Sequence, residues 1–279
     1  MLKIVMDTAG DLPEGWQSDY QIDLIPINII HDGKTYLQGV DIGYEDFYRI
    51  VEEADQLPST SQPSPYQFTE FYRNIASSED TILSIHVTEK LSGTMDSANQ
   101  AAKELDGELK VIPFDSASGT LSMGLMAKKA REMDRTGKTI NEILDELKRI
   151  RKGMELVFTL DTLKFAQMSG RIKYLQAALA SLLNVKPIIE LKDGIIEMGE
   201  KVRSRARSIE LLLEKMKNKF GDRRIIAGVV HARDHQAGLD LLQKVITNLN
   251  CEEAVFGELT ISLAAHFGPG TLGIVAYPS

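Results

Sequence analysis

Short apolar runs bounded by Gly, Pro, Asp and Ser alternate along the chain with longer segments of helical periodicity, which predicts βαβ units and a mainly parallel sheet. Residues 3–6 read as the first strand. Segments 24–30 and 34–37 flank His31-Asp32-Gly33, an Asp-Gly signal for an edge hairpin. Helices are predicted over 44–54 and 65–76, the second with Ser64 as N-cap and Pro65 at its first position. A buried strand over 81–86 comes next, then a loop over 88–93, a helix over 94–105 and a strand over 109–113. Helices over 118–135 and 139–152 close this half. Later strands are predicted over 156–160, 187–191, 195–198, 225–231, 255–259 and 272–277, with Asp161 capping a helix after the first and Asp193-Gly194 turning between the next two.

The expected fold is α/β in two lobes: an N-terminal parallel-sheet α/β/α domain over residues 1–153 and a C-terminal α/β domain with a mixed sheet over 154–279. Composition adds exclusions. A net charge of -8 and a pI near 5.3 oppose a phosphate backbone, so no nucleic-acid partner is expected. The single cysteine, Cys251, has no second thiol for a disulfide or a metal cluster, which fits a reducing, cytoplasmic location. The opening stretch reaches Asp7 before a signal peptide's apolar region would be complete. The densest apolar stretch, 175–185, is interrupted by Gln176, Ser181 and Asn184, so no stable membrane insertion is expected. Any lipid handled by this chain must therefore be enclosed by protein.

In open α/β sheets, ligands sit beyond the carboxyl ends of strands, where loops feed helix N-termini. Three polar segments fall there: Asp7 to Pro13, Ser59 to Ser64, and Leu91-Ser92-Gly93-Thr94. Converging hydroxyls can bind a carboxylate or phosphate without a nucleophile, although Ser64 and Ser92 can equally be helix caps. His266, in Ala264-Ala265-His266-Phe267-Gly268-Pro269-Gly270, reads as a loop histidine that either donates to an anion or bonds its own loop. His31, His86, His231 and His235 are poorer candidates, lying in a hairpin turn, at two strand ends and at a helix start. No metal-ligand spacing is present, and neither metal nor cofactor is expected. The cluster Lys201 to Arg207 places cations at a helix start, which hints at a partner or an anion; the alternative is a solvated face balanced by Glu197, Glu200 and Glu210.

Two catalytic readings compete with binding. A serine hydrolase of acyl esters would use Ser92 as nucleophile, His266 as base and Asp7 or Asp115 as the acid, yet there is no G-x-S-x-G elbow. A nucleotide enzyme would need a G-x-x-x-x-G-K-[ST] phosphate loop or a G-x-G-x-x-G turn after a strand, and neither occurs.

Five signatures in order resemble the DegV family of bacterial fatty-acid-binding proteins over essentially the whole chain. They are Asp7 to Pro13, Thr60-Ser61-Gln62-Pro63-Ser64, Leu91-Ser92-Gly93-Thr94, Ser169-Gly170-Arg171-Ile172 with Asn184-Val185-Lys186-Pro187, and His266 to Gly270. The resemblance implies a non-catalytic carrier of one long-chain fatty acid of the palmitate, stearate or oleate type, its tail in an apolar tunnel and its carboxyl group near the lobe interface. It implies head-group contacts from Thr60 and Ser92, helped by Ser61, amides around Gly93, and His266. It further implies a partner, an ATP-dependent fatty acid kinase that makes acyl phosphate for phospholipid synthesis, met by Arg203 or Arg205. Two positions depart from the family pattern: Thr8 stands where Ser is usual, and Met95 where an aromatic is common.

Overall fold

A computed structural model describes residues 1–53, 56–169 and 185–279, which divide into two units, Met1–Arg151 and Lys152–Ser279. In the first unit, β1 (Leu2–Asp7) leads through a short α1 (Trp16–Asp19) to β2 (Ile22–Ile25), which lies parallel to it. A hairpin of β3 (Asn28–His31) and β4 (Lys34–Leu37) precedes α2 (Tyr44–Glu53). Then come β5 (Ser59–Ser61), α3 (Pro65–Ile75), β6 (Thr81–His86), α4 (Thr94–Glu104), β7 (Lys110–Asp115), α5 (Leu121–Arg135) and α6 (Ile140–Gly153), whose last residues fall past the division. The main sheet has the order β2-β1-β6-β7, all parallel, and a separate antiparallel sheet has the order β4-β3-β5.

The segment 24–30, expected as one strand, is in fact two. Pro26 has no N–H to donate to a ladder, so the chain leaves the parallel sheet there and re-pairs as β3. The predicted hairpin turn is present: Asp32 and Gly33 both have positive φ, 49° and 70°, as a two-residue turn matching strand twist requires. Ser64 caps α3 reciprocally, accepting from Gln67 N at 3.2 Å while Gln67 Oε1 accepts from Ser64 N at 2.8 Å. One face of the main sheet is closed by α3 and α4, with Val5, Phe68, Tyr72, Ile82, Ala98, Ala101 and Leu105 forming its core. Helix α5 is buried along most of its length, and each fully buried Leu or Met there contributes about 1.5–3 kcal/mol.

The second unit comprises β8 (Glu155–Thr159), α7 (Lys164–Ser169), β9 (Lys186–Lys192), β10 (Ile195–Val202), α8 (Arg205–Phe220), β11 (Ile225–His231), α9 (His235–Asn248), β12 (Cys251–Glu258), α10 (Ile261–Phe267) and β13 (Leu272–Pro278). Its sheet runs β10-β9-β8-β13-β11-β12 and is mixed: β11 and β12 pair parallel, the others antiparallel. Alternate residues Ile225, Ala227 and Val229 of β11 face Leu211, Leu212 and Met216 of α8 and Leu241 and Val245 of α9. Asp161 does not cap α7. Its carboxylate pairs with Lys186, and Thr162 Oγ1 accepts the Lys164 amide at 3.2 Å instead. Among the described residues no helix is long and apolar enough to cross a membrane, and the densest apolar stretch noted above lies almost wholly outside them.

Candidate functional site

Parallel order brings the carboxyl ends of β1, β6 and β7, at Asp7, His86 and Asp115, to one edge of the first unit. The loops that leave this edge are bonded to each other. Thr88 N donates to Ser118 O at 2.8 Å, Ser116 N to His86 O at 3.0 Å, and Thr120 N to Ala9 O at 2.8 Å; Thr120 Oγ1 donates to the buried Asp11. Ala117 and Thr120 hold positive φ, 50° and 56°, a strain of about 1–3 kcal/mol for each non-glycine residue that surrounding bonds must offset. This strained stretch is why α5 begins at Leu121 and not at Ser118.

The opening loop is fastened to the crossover behind it. Thr8 Oγ1 accepts from Ile27 N at 2.8 Å and Thr8 O accepts from Gln38 Nε2 at 2.8 Å, so Thr8 supplies a structural hydroxyl. Thr60 and Ser61 belong to β5, in register with Ile29 and Asn28. Asn28 Nδ2 donates to Ser61 Oγ at 3.3 Å and to Gln62 O at 3.2 Å. Gln62 then lies against the bare backbone of Gly93: a Cβ at 93 would sit 2.8 Å from Gln62 Nε2. The Thr60 to Gln62 and Ser92 to Gly93 segments, far apart in sequence, therefore touch. Thr60, Ser61, Ser92 and Gly93 are each half-buried.

Ser64 and Ser92, alike as possible caps in sequence, differ in structure. Ser64 is a helix cap. Ser92 precedes the N-cap, which is Gly93, and its Oγ shares a 2.8 Å hydrogen bond with Thr94 Oγ1 while accepting a 3.3 Å bond from Thr94 N. Met95 is buried in the first turn of α4.

Sequence reasoning passed over a fully buried side-chain chain in this unit. Asp7 Oδ1 accepts from Ala9 N at 2.9 Å, and Oδ2 from Val87 N at 2.9 Å and His86 Nδ1 at 3.0 Å. His86 Nε2 is 2.8 Å from Ser84 Oγ, which accepts from Tyr72 OH at 2.8 Å. Asp7, Tyr72, Ser84 and His86 are all 0% exposed, and burial pushes the Tyr72 phenol well above its ordinary range. A signal existed: Ser84 and His86 stand two apart in the otherwise apolar run 82–86, hence on one face, where buried polar groups require partners. The hydrolase constellation is not assembled within this unit, because Asp7 is bonded to His86 and Ser92 to Thr94.

In the second unit, His266 is helical and not in a loop. It occupies the last turn of α10, which ends because Gly268 adopts φ 80° and its N–H caps Ala264 O at 2.7 Å. Glycine is required there on two counts, since a Cβ would also lie 2.4 Å from the Phe165 ring. The basic cluster divides by partner. Ser204 caps α8 through Arg207 N at 3.2 Å, Arg207 pairs with Glu210 at 3.1 Å and Glu214 at 2.7 Å, and Arg205 bonds Gly270 O and Asp234. Glu197 and Glu200, expected to balance these arginines, pair with Lys192 and Lys215. Arg203 is exposed. The Gly170-Arg171-Ile172 signature and Asn184 lie outside the described residues.

A cleft of about 820 Å³ opens at the opposite, amino-terminal edge of the first sheet, near Leu2, Lys3, Ile22 and Asp23. Its Arg131 is spent on the carbonyls of Leu2, Tyr20 and Gln21 and on Asp134, so it offers little to an anion. Among the described residues no three His, Cys, Asp or Glu gather as metal ligands.

Comparison with known proteins extends over the full chain. A family model described as uncharacterised protein, DegV family, matches residues 1–279. The chain is 31% identical to a fatty acid-binding protein of Thermotoga maritima, over 98% of this chain and 96% of that one. It is similar to the solved structure of a DegV family protein from Thermus thermophilus, described for its fatty acid binding, with a TM-score of 0.90, 33% identity and coverage of 100% and 99% of the two chains. It is also similar to a stearic acid-binding protein from Eubacterium ventriosum, with a TM-score of 0.90, 26% identity and coverage of 100% and 98%.

Proposed function

The chain belongs to the DegV family, and from that premise we propose that it carries one long-chain fatty acid, of the palmitate, stearate or oleate type, without acting on it chemically. The tail occupies an apolar channel in the first unit and the carboxylate meets Thr60, Ser61, Ser92 and the Gly93 amide. The observation that carries this reading is the meeting of Gln62 with Gly93, which puts two hydroxyl-bearing segments side by side at the sheet edge where α/β proteins bind ligands. The family's fatty-acid-binding members supply the ligand class. His266 is assigned to the head group by family resemblance, and His266→Ala tests it separately from the first-unit residues.

Energetics support a buried tail. At about 0.8 kcal/mol per CH₂, a sixteen-carbon chain offers on the order of 10 kcal/mol before the costs of binding. The head pocket selects the acid, because a hydroxyl donating to a carboxylate makes a charge-assisted bond roughly twice as strong as one to a neutral alcohol or ester. The proposal extends to a partner: a cytoplasmic fatty acid kinase receives the presented carboxylate and forms acyl phosphate for phospholipid synthesis. Arg203 is the better of the two kinase-facing candidates, since it is exposed while Arg205 is engaged by Gly270 and Asp234. Thermal-shift titration of delipidated protein tests the core of the reading. Oleate should raise Tm and ATP should not; stabilisation by ATP alone would overturn it.

A further inference from the structure

Asp7, His86, Ser84 and Tyr72 form a line of hydrogen bonds from β1 through β6 to α3. Its directions are set by chemistry. A carboxylate only accepts, so Nδ1 of His86 carries the proton it donates to Asp7. The Tyr72 hydroxyl donates to Ser84 Oγ, which leaves the serine proton for His86 Nε2. Each bond thus specifies the next, and Ser84 selects the Nδ1–H tautomer that Asp7 requires.

The chain's output is the backbone of the loop after β6. The Asp7 oxygen that receives His86 also receives Val87 N, and the other oxygen receives Ala9 N. Thr88 comes next, and its carbonyl accepts from Leu91 N at 3.1 Å and Ser92 N at 3.2 Å. At the far end, Tyr72 sits on α3, the helix that follows Thr60 to Ser64, and the Phe68 ring of that helix packs edge-on to His86 at 5.1 Å. Both head-group segments are therefore tied to one buried polar line. We propose that Asp7, His86, Ser84 and Tyr72 are positioning residues that hold Ser92 and Gly93 in register with Thr60 and Ser61, so that the site prefers an acid head group to a neutral one. This rests on the fatty-acid reading above.

The test uses delipidated full-length protein and two probes, oleate and oleyl alcohol, whose affinities are measured for wild type, His86→Leu, Ser84→Ala and His86→Asn. The acid-to-alcohol preference should fall about tenfold in His86→Leu, the worth of one charge-assisted hydrogen bond, with alcohol affinity unchanged. Ser84→Ala should follow in the same direction and remains readable if His86→Leu fails to fold. Asn at 86 can still donate to Asp7 and should recover most of the preference. Equal losses for both probes would mean that the chain only stabilises the fold and would overturn the proposal, as would an unchanged preference. In wild type, ¹⁵N NMR should show His86 protonated at Nδ1 and bare at Nε2; the opposite tautomer refutes the positioning scheme. A wild-type protein that binds neither probe sinks the fatty-acid reading and the positioning role together, whereas a wild type that prefers oleate beside variants with equal losses for both probes, or none, sinks the positioning role alone.

Discussion

Replacing Ser92 with Ala removes one hydroxyl from a half-buried position and separates ligand binding from folding. In the ligand-free protein Ser92 Oγ is bonded to the buried Thr94 Oγ1 at 2.8 Å, a neutral pair worth about 1 kcal/mol, so Tm should fall by only about 2–4 °C. In the proposed head-group role the same hydroxyl would make a charge-assisted bond to the carboxylate worth about 1.5–3 kcal/mol, which predicts a 10- to 150-fold weaker Kd, roughly, for oleate. The tail's contribution is untouched, so the alcohol of the same length should bind nearly as before. Calorimetric titration of delipidated wild type and variant with both ligands gives the comparison. An unchanged oleate Kd, or equal losses for acid and alcohol, would refute the head-group role of Ser92.

Three further outcomes are expected. Gly268→Ala should destabilise the second unit by about 2 kcal/mol or more, because φ 80° is strained for alanine and its Cβ would meet Phe165; denaturant unfolding reads the loss. Arg203→Ala should leave oleate affinity intact and impair acyl-phosphate formation with a fatty acid kinase, measured by transfer from labelled ATP; lost oleate binding would place Arg203 in the pocket. His231 is held down to about pKa 4, chiefly by burial and then by His235, against an ordinary value near 6.5. Its folded pKa is depressed, so its stabilising contribution is complete above pH 6.5 and is lost as pH falls toward 4. His231→Phe should flatten the fall of Tm across that window, and an NMR titration of wild type should place the His231 midpoint near 4.

Local rules made much of this fold legible. Asp-Gly turns, the Ser64 and Pro65 helix start and the run at 81–86 each announce themselves within a few residues, and each stands where expected. Other features depend on long-range information. Nothing local says that Ile25 pairs with Asp7 while Asn28 turns to Ser61, although Pro26 marks the break. His266 is a local case: the glycines at 268 and 270 suggest a loop, but the run 261–267 forms a helix and His266 falls in its last turn. Thr60, Ser61, Ser92 and Gly93 could be named from motif order, but their adjacency depends on the Gln62 to Gly93 approach, which only the folded chain displays. His86 looks like a mere strand end in sequence because Asp7, which it bonds, and Tyr72, which it reaches through Ser84, are remote along the chain; only the alternation of Ser84 and His86 on one buried face hints that they need partners.

Native mass spectrometry of the protein purified gently from bacterial cells addresses the carrier reading most directly. The spectrum should show a bound species heavier than the bare chain by one long-chain fatty acid, lost when the protein is delipidated and restored by oleate. A spectrum of bare chain alone, before and after an excess of oleate, would contradict it.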